Sequence, residues 1–201
     1  MLFRSEACDK KYNFQIHYPG AGVGGPCLPV NSYQILNSAR NKGNGMLKII
    51  KAAREINEHM PYHVVELLID ALNEVGKVVK GSTIAILGLS YKPNVHDIQL
   101  TPAEEIINRL EKLQAKIKIY DPYFKSVKVF SHNTENSLMD AITDADATLL
   151  VTAHDEFRDI TPSLLVSKMK TPVIIDSRGL IDAAAAKKAG LIFRGIGRGR
   201  G

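Results

Sequence analysis

The chain has 201 residues, 45% hydrophobic and 23% charged, ordinary values for a globular protein that exclude a disordered polymer. Its two cysteines, Cys8 and Cys27, make neither a disulfide framework nor a zinc pattern, so a reducing cytoplasm is the expected setting. A net charge of +5 suits nucleic acid or an anionic small substrate, and no apolar run approaches the roughly 18 residues of a membrane span or the stretch of a signal peptide.

Residues 1 to about 45 read as irregular. Pro19, Gly20, Gly22, Gly24, Gly25, Pro26 and Pro29 fall within eleven positions, a density of turn formers that argues for a loop. Gly20-Ala-Gly22-Val-Gly-Gly25 matches G-x-G-x-x-G letter by letter, but a dinucleotide fingerprint needs a buried strand before it and a helix opening within it. Asn13–Pro19 is too polar for that strand, and Pro26 and Pro29 stand against a helix directly after. Such a cluster can still bring backbone close to a ligand and aim N–H groups at an anion. Cys27 sits at its end. Spacing alone leaves two readings, a buried structural cysteine, which is the commoner fate, and a nucleophile whose thiolate the N–H dipoles favour.

Residues 46 to 75 read as one helix. Ile49, Ala52, Ala53, Ile56, Met60, Val64, Leu67, Leu68, Ala71 and Val75 follow the 3.6-residue period. Asn44 is the expected cap, Gly76 the expected stop, and Pro61 predicts a kink or break. At about 1.5 Å per residue the element is roughly 45 Å long, more than a small domain covers, so a partner chain is the expected cover.

Residues 81 to 201 alternate strand and helix. Thr83–Leu87, Lys116–Tyr120, Ala147–Val151, Pro172–Ile175 and Leu191–Phe193 are the strand-like runs. Helices are expected near Leu138–Ile142, Pro162–Lys168 and Ala183–Ala189, and from Thr101, where Thr101, Pro102 and Glu104 suggest a cap, a first-turn proline and a capping box. The fold class is therefore α/β: a long central helix followed by a Rossmann-like parallel sheet with helices on both faces. The expected division is 1–80, holding the loop and helix, and 81–201, the α/β domain. The closing Arg194-Gly-Ile-Gly-Arg198-Gly-Arg200-Gly suggests either a short RNA-binding tail or a frayed terminus.

At this point the sequence resembles a family. His17-Tyr-Pro-Gly-Ala-Gly-Val-Gly-Gly-Pro-Cys-Leu-Pro-Val-Asn-Ser-Tyr33 is similar to the cysteine loop of the UDP-glucose/GDP-mannose dehydrogenases, the nucleotide-sugar dehydrogenases. Ala52–Asn57 with Met60-Pro61 resembles the helix on which that family dimerises. Ile86–Asp97 and Ile174–Gly179 are similar to its UDP-sugar-binding motifs. These motifs cover nearly the whole chain in the family's order, corresponding to its carboxyl-terminal part, and Pro29-Val30-Asn31 looks nearest the UDP-N-acetylmannosamine branch.

The resemblance implies oxidation of a UDP-sugar primary alcohol to the uronate with NAD, through a cysteine thiohemiacetal and a thioester. Matched position to position, Cys27 is the nucleophile, Tyr18, Gly20, Gly22 and Gly24 cradle the substrate, and Tyr91, Lys92 and Arg178 grip it. A point charge and a guanidinium fork suit a diphosphate and its sugar. Lys92 and Arg178 also follow predicted strands at the carboxyl end, where open α/β sheets bind ligands. Asp121 and His154 follow strands too, and for them turn and capping roles are expected. His96 and Asp97 are too few for a metal site, so no metal is expected.

Departures from the family pattern accompany the resemblance. The acid usual two residues after the loop proline, linked to water handling, is Asn31, and the arginine usual near the cofactor is Gln99. No dinucleotide fingerprint occurs in the chain, so the NAD site implied by the resemblance lies mostly on an amino-terminal domain outside it, with Cys27 and Gln99 at its margin and a separate amino-terminal NAD-binding half as one arrangement. The other implied partners are a UDP-sugar and a second copy joined through the 46–75 helix, with neither nucleic acid nor membrane. The chain alone is expected to be inactive. A non-catalytic nucleotide-sugar-binding or dimerisation fragment is the alternative, and an RNA-binding protein ranks last for want of an aromatic-rich RNA-reading motif.

Overall fold

The computed structural model describes residues 18–41, 47–197 and 199–200. The expected cap Asn44, along with Cys8, His17 and Arg198, lies outside them.

The irregular amino-terminal segment expected up to residue 45 contains a helix, α1 (Leu28–Asn41). Pro29 does not prevent it, because it occupies the first turn, where a backbone N–H has no intrahelical partner to lose. Its apolar residues form no deep stripe, since Leu28, Val30, Tyr33 and Ile35 are all exposed. Helix α2 (Lys48–Glu74) follows and runs unbroken across Pro61, so the expected break does not occur. Gly76 stops it in the left-handed region with φ 72°. Its N–H bonds the Asn73 carbonyl at 3.0 Å and the Lys77 N–H bonds the Leu72 carbonyl at 2.9 Å, the paired closure of a Schellman motif.

The two halves of α2 differ. From Pro61 onward Val64, Val65, Leu68, Ala71 and Leu72 are buried, whereas before it Ile49 is 84% exposed and Ile56 66%. The second half lies on a sheet of six strands in the order β2-β1-β5-β6-β7-β8. These are β1 (Thr83–Leu87), β2 (Lys116–Tyr120), β5 (Ala147–Leu150), β6 (Val173–Asp176), β7 (Ile192–Gly195) and β8 (Gly199–Arg200). The first five pair in parallel, and β8 adds a short antiparallel pairing to Arg194 and Gly195. The chain end is thus tied into the sheet rather than frayed through residue 200. Arg194 is 4% exposed and reaches Asp70 and Glu74 on α2, so it clamps helix to sheet and is not presented as an RNA-binding side chain.

Strand residues are apolar on both faces, as a doubly covered parallel sheet requires. Ile84, Ile86, Leu149, Val173 and Ile175 face α2 and α3 (Pro102–Lys112). Ala85, Leu87, Leu150, Ile174 and Phe193 face α4 (Leu138–Ile142), α5 (Pro162–Lys168) and α6 (Ala183–Lys188). Thr101 caps α3 through the Ala103 N–H, one position short of the expected capping box. A two-stranded hairpin, β3 (Lys128–Val129) with β4 (His132–Asn133), and a 3-10 turn over Asp155–Asp159 were not foreseen.

The chain leaves β1 to one side for β2 and returns on the other side for β5. The crevice beyond their carboxyl ends is the switch point where such sheets bind ligands. The two departing loops touch there. A Cβ on Gly88, whose φ is 94°, would lie 2.5 Å from the Thr152 side chain.

Candidate active site

The glycine-rich loop docks where three elements converge. Proline at 61 cannot donate to the Asn57 carbonyl, and a Cβ on Gly22 would lie 3.3 Å from that oxygen. The Asn57 side chain completes the seat, its Oδ1 accepting the Val23 N–H at 2.8 Å. On the other flank a Cβ on Gly24 would meet the Leu100 carbonyl oxygen at 2.4 Å, and one on Gly25 would meet the Tyr91 ring at 2.7 Å. The Gly25 N–H donates to the Gln99 carbonyl at 2.8 Å. These glycines are close-approach residues between packed surfaces. The stretch where a dinucleotide fingerprint needs its strand lies outside the described residues.

Gly20 is the member of the set that packs against Arg178. A Cβ there would lie 2.2 Å from Nη1 of Arg178. Arg178 is held by the turn after β6, where Asp176 accepts the N–H groups of Arg178, Gly179 and Ile181 at 2.7–2.9 Å. Burial pushes the guanidinium below its usual value while Asp176 pulls the other way; an arginine remains charged regardless. Its Nε is buried without a hydrogen-bond partner. The Nε atoms of Arg54 and Arg109 are buried in the same way, so it is the place of Arg178, after β6 at the carboxyl end of the sheet and against Gly20, that sets it apart.

The loop after β1 carries Tyr91, Lys92 and Gln99. Tyr91 packs on the glycines, Lys92 is exposed with Nζ 5.6 Å from the Tyr91 ring centroid, and Gln99 contributes its carbonyl while its side chain is exposed. Beneath them Asp121 and His154 are both fully buried; His154 takes the cap position of the 3-10 turn through its carbonyl, which accepts the Phe157 N–H at 3.0 Å, and both side chains do more than the expected turn and cap. Asp121 does form a turn by accepting the Tyr123 N–H, but it also accepts Leu89 N–H at 2.6 Å, Ser90 N–H at 3.0 Å and His154 Nε2 at 3.0 Å. Burial raises its carboxyl, and the bonds from His154 and the backbone outweigh that and hold it below the ordinary range. His154 caps nothing with its side chain; Nδ1 accepts the Asn94 N–H at 3.0 Å.

Cys27 is exposed and has a free thiol. It lies two residues past Gly25 and immediately before α1, whose first bond joins the Asn31 N–H to the Cys27 carbonyl at 2.9 Å. The cysteine therefore stands at the start of a helix, with its thiol open to solvent. Asn31 is one helical turn on, exposed and on the same face. Tyr18 is 49% exposed at the outer end of the loop.

Sequence reasoning passed over Asn57 and Asp176. Pro61 four residues after Asn57 was the available signal for the first. A cavity of about 540 Å³ opens between α1, α2 and the start of α3, but neither Cys27, Lys92 nor Arg178 lines it, so it is not where the chemistry gathers. His96 stacks on Phe124 at 4.1 Å, and no cluster of metal-binding side chains occurs among the described residues. Nor do the described residues fit a dinucleotide. The position that a phosphate would take after β1 is filled at Gly88 by Thr152, and the next helix begins only at Pro102. No helix among the described residues is long and apolar enough to cross a membrane.

Comparison with known proteins places this geometry. Residues 85–183 match the UDP-binding domain, and residues 3–59 the central domain, of the UDP-glucose/GDP-mannose dehydrogenase family. The chain is 35% identical to a UDP-N-acetyl-D-mannosamine dehydrogenase of Pyrococcus horikoshii over 92% of its own length and 41% of that protein's. It is 34% identical to a UDP-glucose 6-dehydrogenase of Bacillus subtilis over 89% of its length and 39% of that protein's. Among solved structures, the UDP-D-ManNAc dehydrogenase of Pyrococcus horikoshii superposes with a TM-score of 0.83 at 34% identity, covering 98% of this chain and 44% of that one. An NDP-N-acetyl-D-galactosaminuronic acid dehydrogenase of Methanosarcina mazei superposes at 0.81 with 30% identity, over 91% of this chain and 40% of that one. The chain spans about two-fifths of the length of the curated relatives it matches.

Proposed function

This chain belongs to the UDP-glucose/GDP-mannose dehydrogenase family, and from that premise we propose that it is the cysteine-bearing, nucleotide-sugar-binding part of an NAD-dependent UDP-sugar 6-dehydrogenase. The observation that carries the reading is Arg178: from the turn after β6, at the carboxyl end of the sheet, its guanidinium lies against Gly20, on the same loop that leads to Cys27. The division we propose is functional, a loop-and-helix unit over 1–80 and a UDP-sugar-binding unit over 81–201. The N-acetylmannosamine sugar is favoured by the similarity to dehydrogenases of that name.

In this reading Arg178 and Lys92 neutralise the diphosphate and Tyr18 and Gly20 line the sugar, while Gly22 and Gly24, expected from the sequence to cradle the substrate, instead seat the loop against α2 and the Tyr91–Leu100 segment. Two two-electron oxidations take the alcohol to the acid, and NAD⁺ is the acceptor assigned by family. Between them the Cys27 thiolate adds to the aldehyde carbon. The carbonyl π pair moves to oxygen, which takes a proton, and the result is a thiohemiacetal. After the second oxidation gives the thioester, water adds to its carbon, the C–S bond breaks and the carboxylate leaves. Asn31, one helical turn from Cys27, can orient that water through its amide, but it cannot take its proton. Gln99 stands at the margin of the cofactor site. Because the described residues do not fit NAD, the residues that hold it are assigned to other parts of the protein, in the same chain or a separate one.

The exposed Ile49 and Ile56 of α2, with Ile35 of α1, lead us to assign the first half of α2 to a symmetric dimer in the cytoplasm. A second reading, a nucleotide-sugar-binding or dimerisation fragment without chemistry, draws on the poor fit to NAD and on Asn31. Calorimetry with UDP-N-acetyl-D-mannosamine tests the site. Binding that Arg178→Ala weakens supports it, and no binding by the intact chain refutes it.

A further inference from the structure

The sequence offered no function for the buried pair Asp121 and His154, and the proposed chemistry does not use them. Apart from each other and the Tyr123 N–H that Asp121 also accepts, the hydrogen-bond partners of their side chains lie on one segment. Asp121 Oδ2 accepts the N–H groups of Leu89 and Ser90 at the start of the loop after β1. His154 accepts the N–H of Asn94 at its far end. Nδ1 is therefore the unprotonated ring nitrogen, and Nε2–H donates to the same Asp121 oxygen at 3.0 Å. One neutral imidazole thus closes a chain from Asn94 through His154 and Asp121 back to Leu89.

Further bonds bring the same two loops together. Thr152 donates its hydroxyl to the Ser90 carbonyl at 2.6 Å. Asn94 exchanges bonds with Asp155 at 2.7 and 3.0 Å and holds a left-handed φ of 59°, which asparagine tolerates better than other side-chain-bearing residues. The segment bracketed by these contacts contains Tyr91 and Lys92, and Lys92 itself is exposed with its Nζ 5.6 Å from the Tyr91 ring centroid. The loop is fixed from within, and its one cation is exposed.

We propose that Asp121 and His154 are positioning residues for nucleotide binding: they hold Leu89–Asn94 so that Lys92 meets the diphosphate of the UDP-sugar. The inference rests on the reading of Lys92 given above. Neither residue touches the ligand. His154 serves as a donor to Asp121 and an acceptor for Asn94 at once, which no aliphatic side chain can do and which asparagine or glutamine can each do in half.

The test is calorimetry of UDP binding to the 201-residue chain and its variants, with circular dichroism to establish folding. His154→Leu is expected to weaken binding about tenfold, equivalent to the loss of one well-placed contact. His154→Asn, which retains the acceptor for Asn94, and His154→Gln, which retains the donor to Asp121, are expected to fall between Leu and the parent. In a Lys92→Ala background the same substitutions should cost no further affinity, because the group they position is gone. If His154→Leu does not fold, the Asn and Gln variants carry the comparison. A folded His154 variant that binds UDP like the parent overturns the inference. So does a loss that persists undiminished without Lys92, which marks a general structural role. Failure of the parent chain itself to bind UDP is a different result: it removes the Lys92 reading and this inference with it.

Discussion

Gly20→Ala separates ligand binding from folding more sharply than any other single change in the site. The new methyl carbon would lie 2.2 Å from Nη1 of Arg178, 3.2 Å from Cζ and 3.4 Å from Cδ. All three atoms belong to the flexible end of one side chain, so the guanidinium swings away and the backbone stays. The stability cost is about 0.5 kcal/mol or less, offset in part by the reduced freedom of the unfolded chain. Affinity pays the difference. A hydrogen bond to a charged group contributes about 1.5–3 kcal/mol, so displacing Arg178 should weaken UDP-sugar binding from about tenfold to somewhat over a hundredfold. Gly24→Ala is the contrast, because its methyl would strike the Leu100 backbone carbonyl at 2.4 Å. The loop must then undock, at about 1–3 kcal/mol of stability. Calorimetry and thermal melting on both variants, with Arg178→Ala and the double variant Gly20→Ala/Arg178→Ala, complete the set. The double variant should bind no worse than Arg178→Ala. A Gly20→Ala chain that binds like the parent would refute the placement of Arg178 over the substrate.

Three other outcomes follow from the structure. Cys27 should react with iodoacetamide faster than Cys8, and UDP-sugar should slow it; equal labelling that ligand leaves unchanged would make Cys27 a structural residue. Burial pushes the Asp146 carboxyl up, but the bonds from Lys77 and the Thr83 N–H overcome this and hold it below its ordinary 3.8. A group lowered in the folded state contributes its full stability above that ordinary value and loses it as pH falls through the folded value. The urea midpoint should thus drop below pH 4 more steeply in the parent than in Asp146→Asn, and matching pH profiles would count against the contact. Arg194→Met should cost about 1 kcal/mol, because Asp70 and Glu74 are 44% and 46% exposed and rehydrate, whereas Asp70→Asn/Glu74→Gln strands a buried guanidinium at about 3 kcal/mol. Urea unfolding reads both, and the reverse order would contradict the clamp.

Much of the fold was legible because it rests on local rules. Alternating apolar runs gave the five parallel strands, and Gly76 and Thr101 marked helix ends through their own backbone preferences. Helix α1 was missed because its apolar residues stay exposed and carry no periodic stripe, and because Pro29 reads as a breaker until its first-turn position is known. Pro61 reads as a break, yet its vacant carbonyl partner becomes the seat of the glycine loop. The site divides in the same way. Cys27, Lys92 and Arg178 carry recognisable chemistry at strand or loop ends. Asp121 and His154 act through bonds spanning more than thirty residues in sequence, which no local pattern records, and the use of Asn57 depends on a loop docking against it from 34 residues away.

The most direct test of the whole account is to titrate the purified 201-residue chain with UDP-N-acetyl-D-mannosamine by calorimetry and to follow NADH absorbance with NAD⁺ present. Positioning of the reactants can supply roughly 7–11 kcal/mol of the barrier, and among the described residues nothing fits the dinucleotide. Saturable binding that Arg178→Ala weakens, without NADH production, is the predicted result. NADH production by this chain alone would contradict the account, since it would require a cofactor site within these residues.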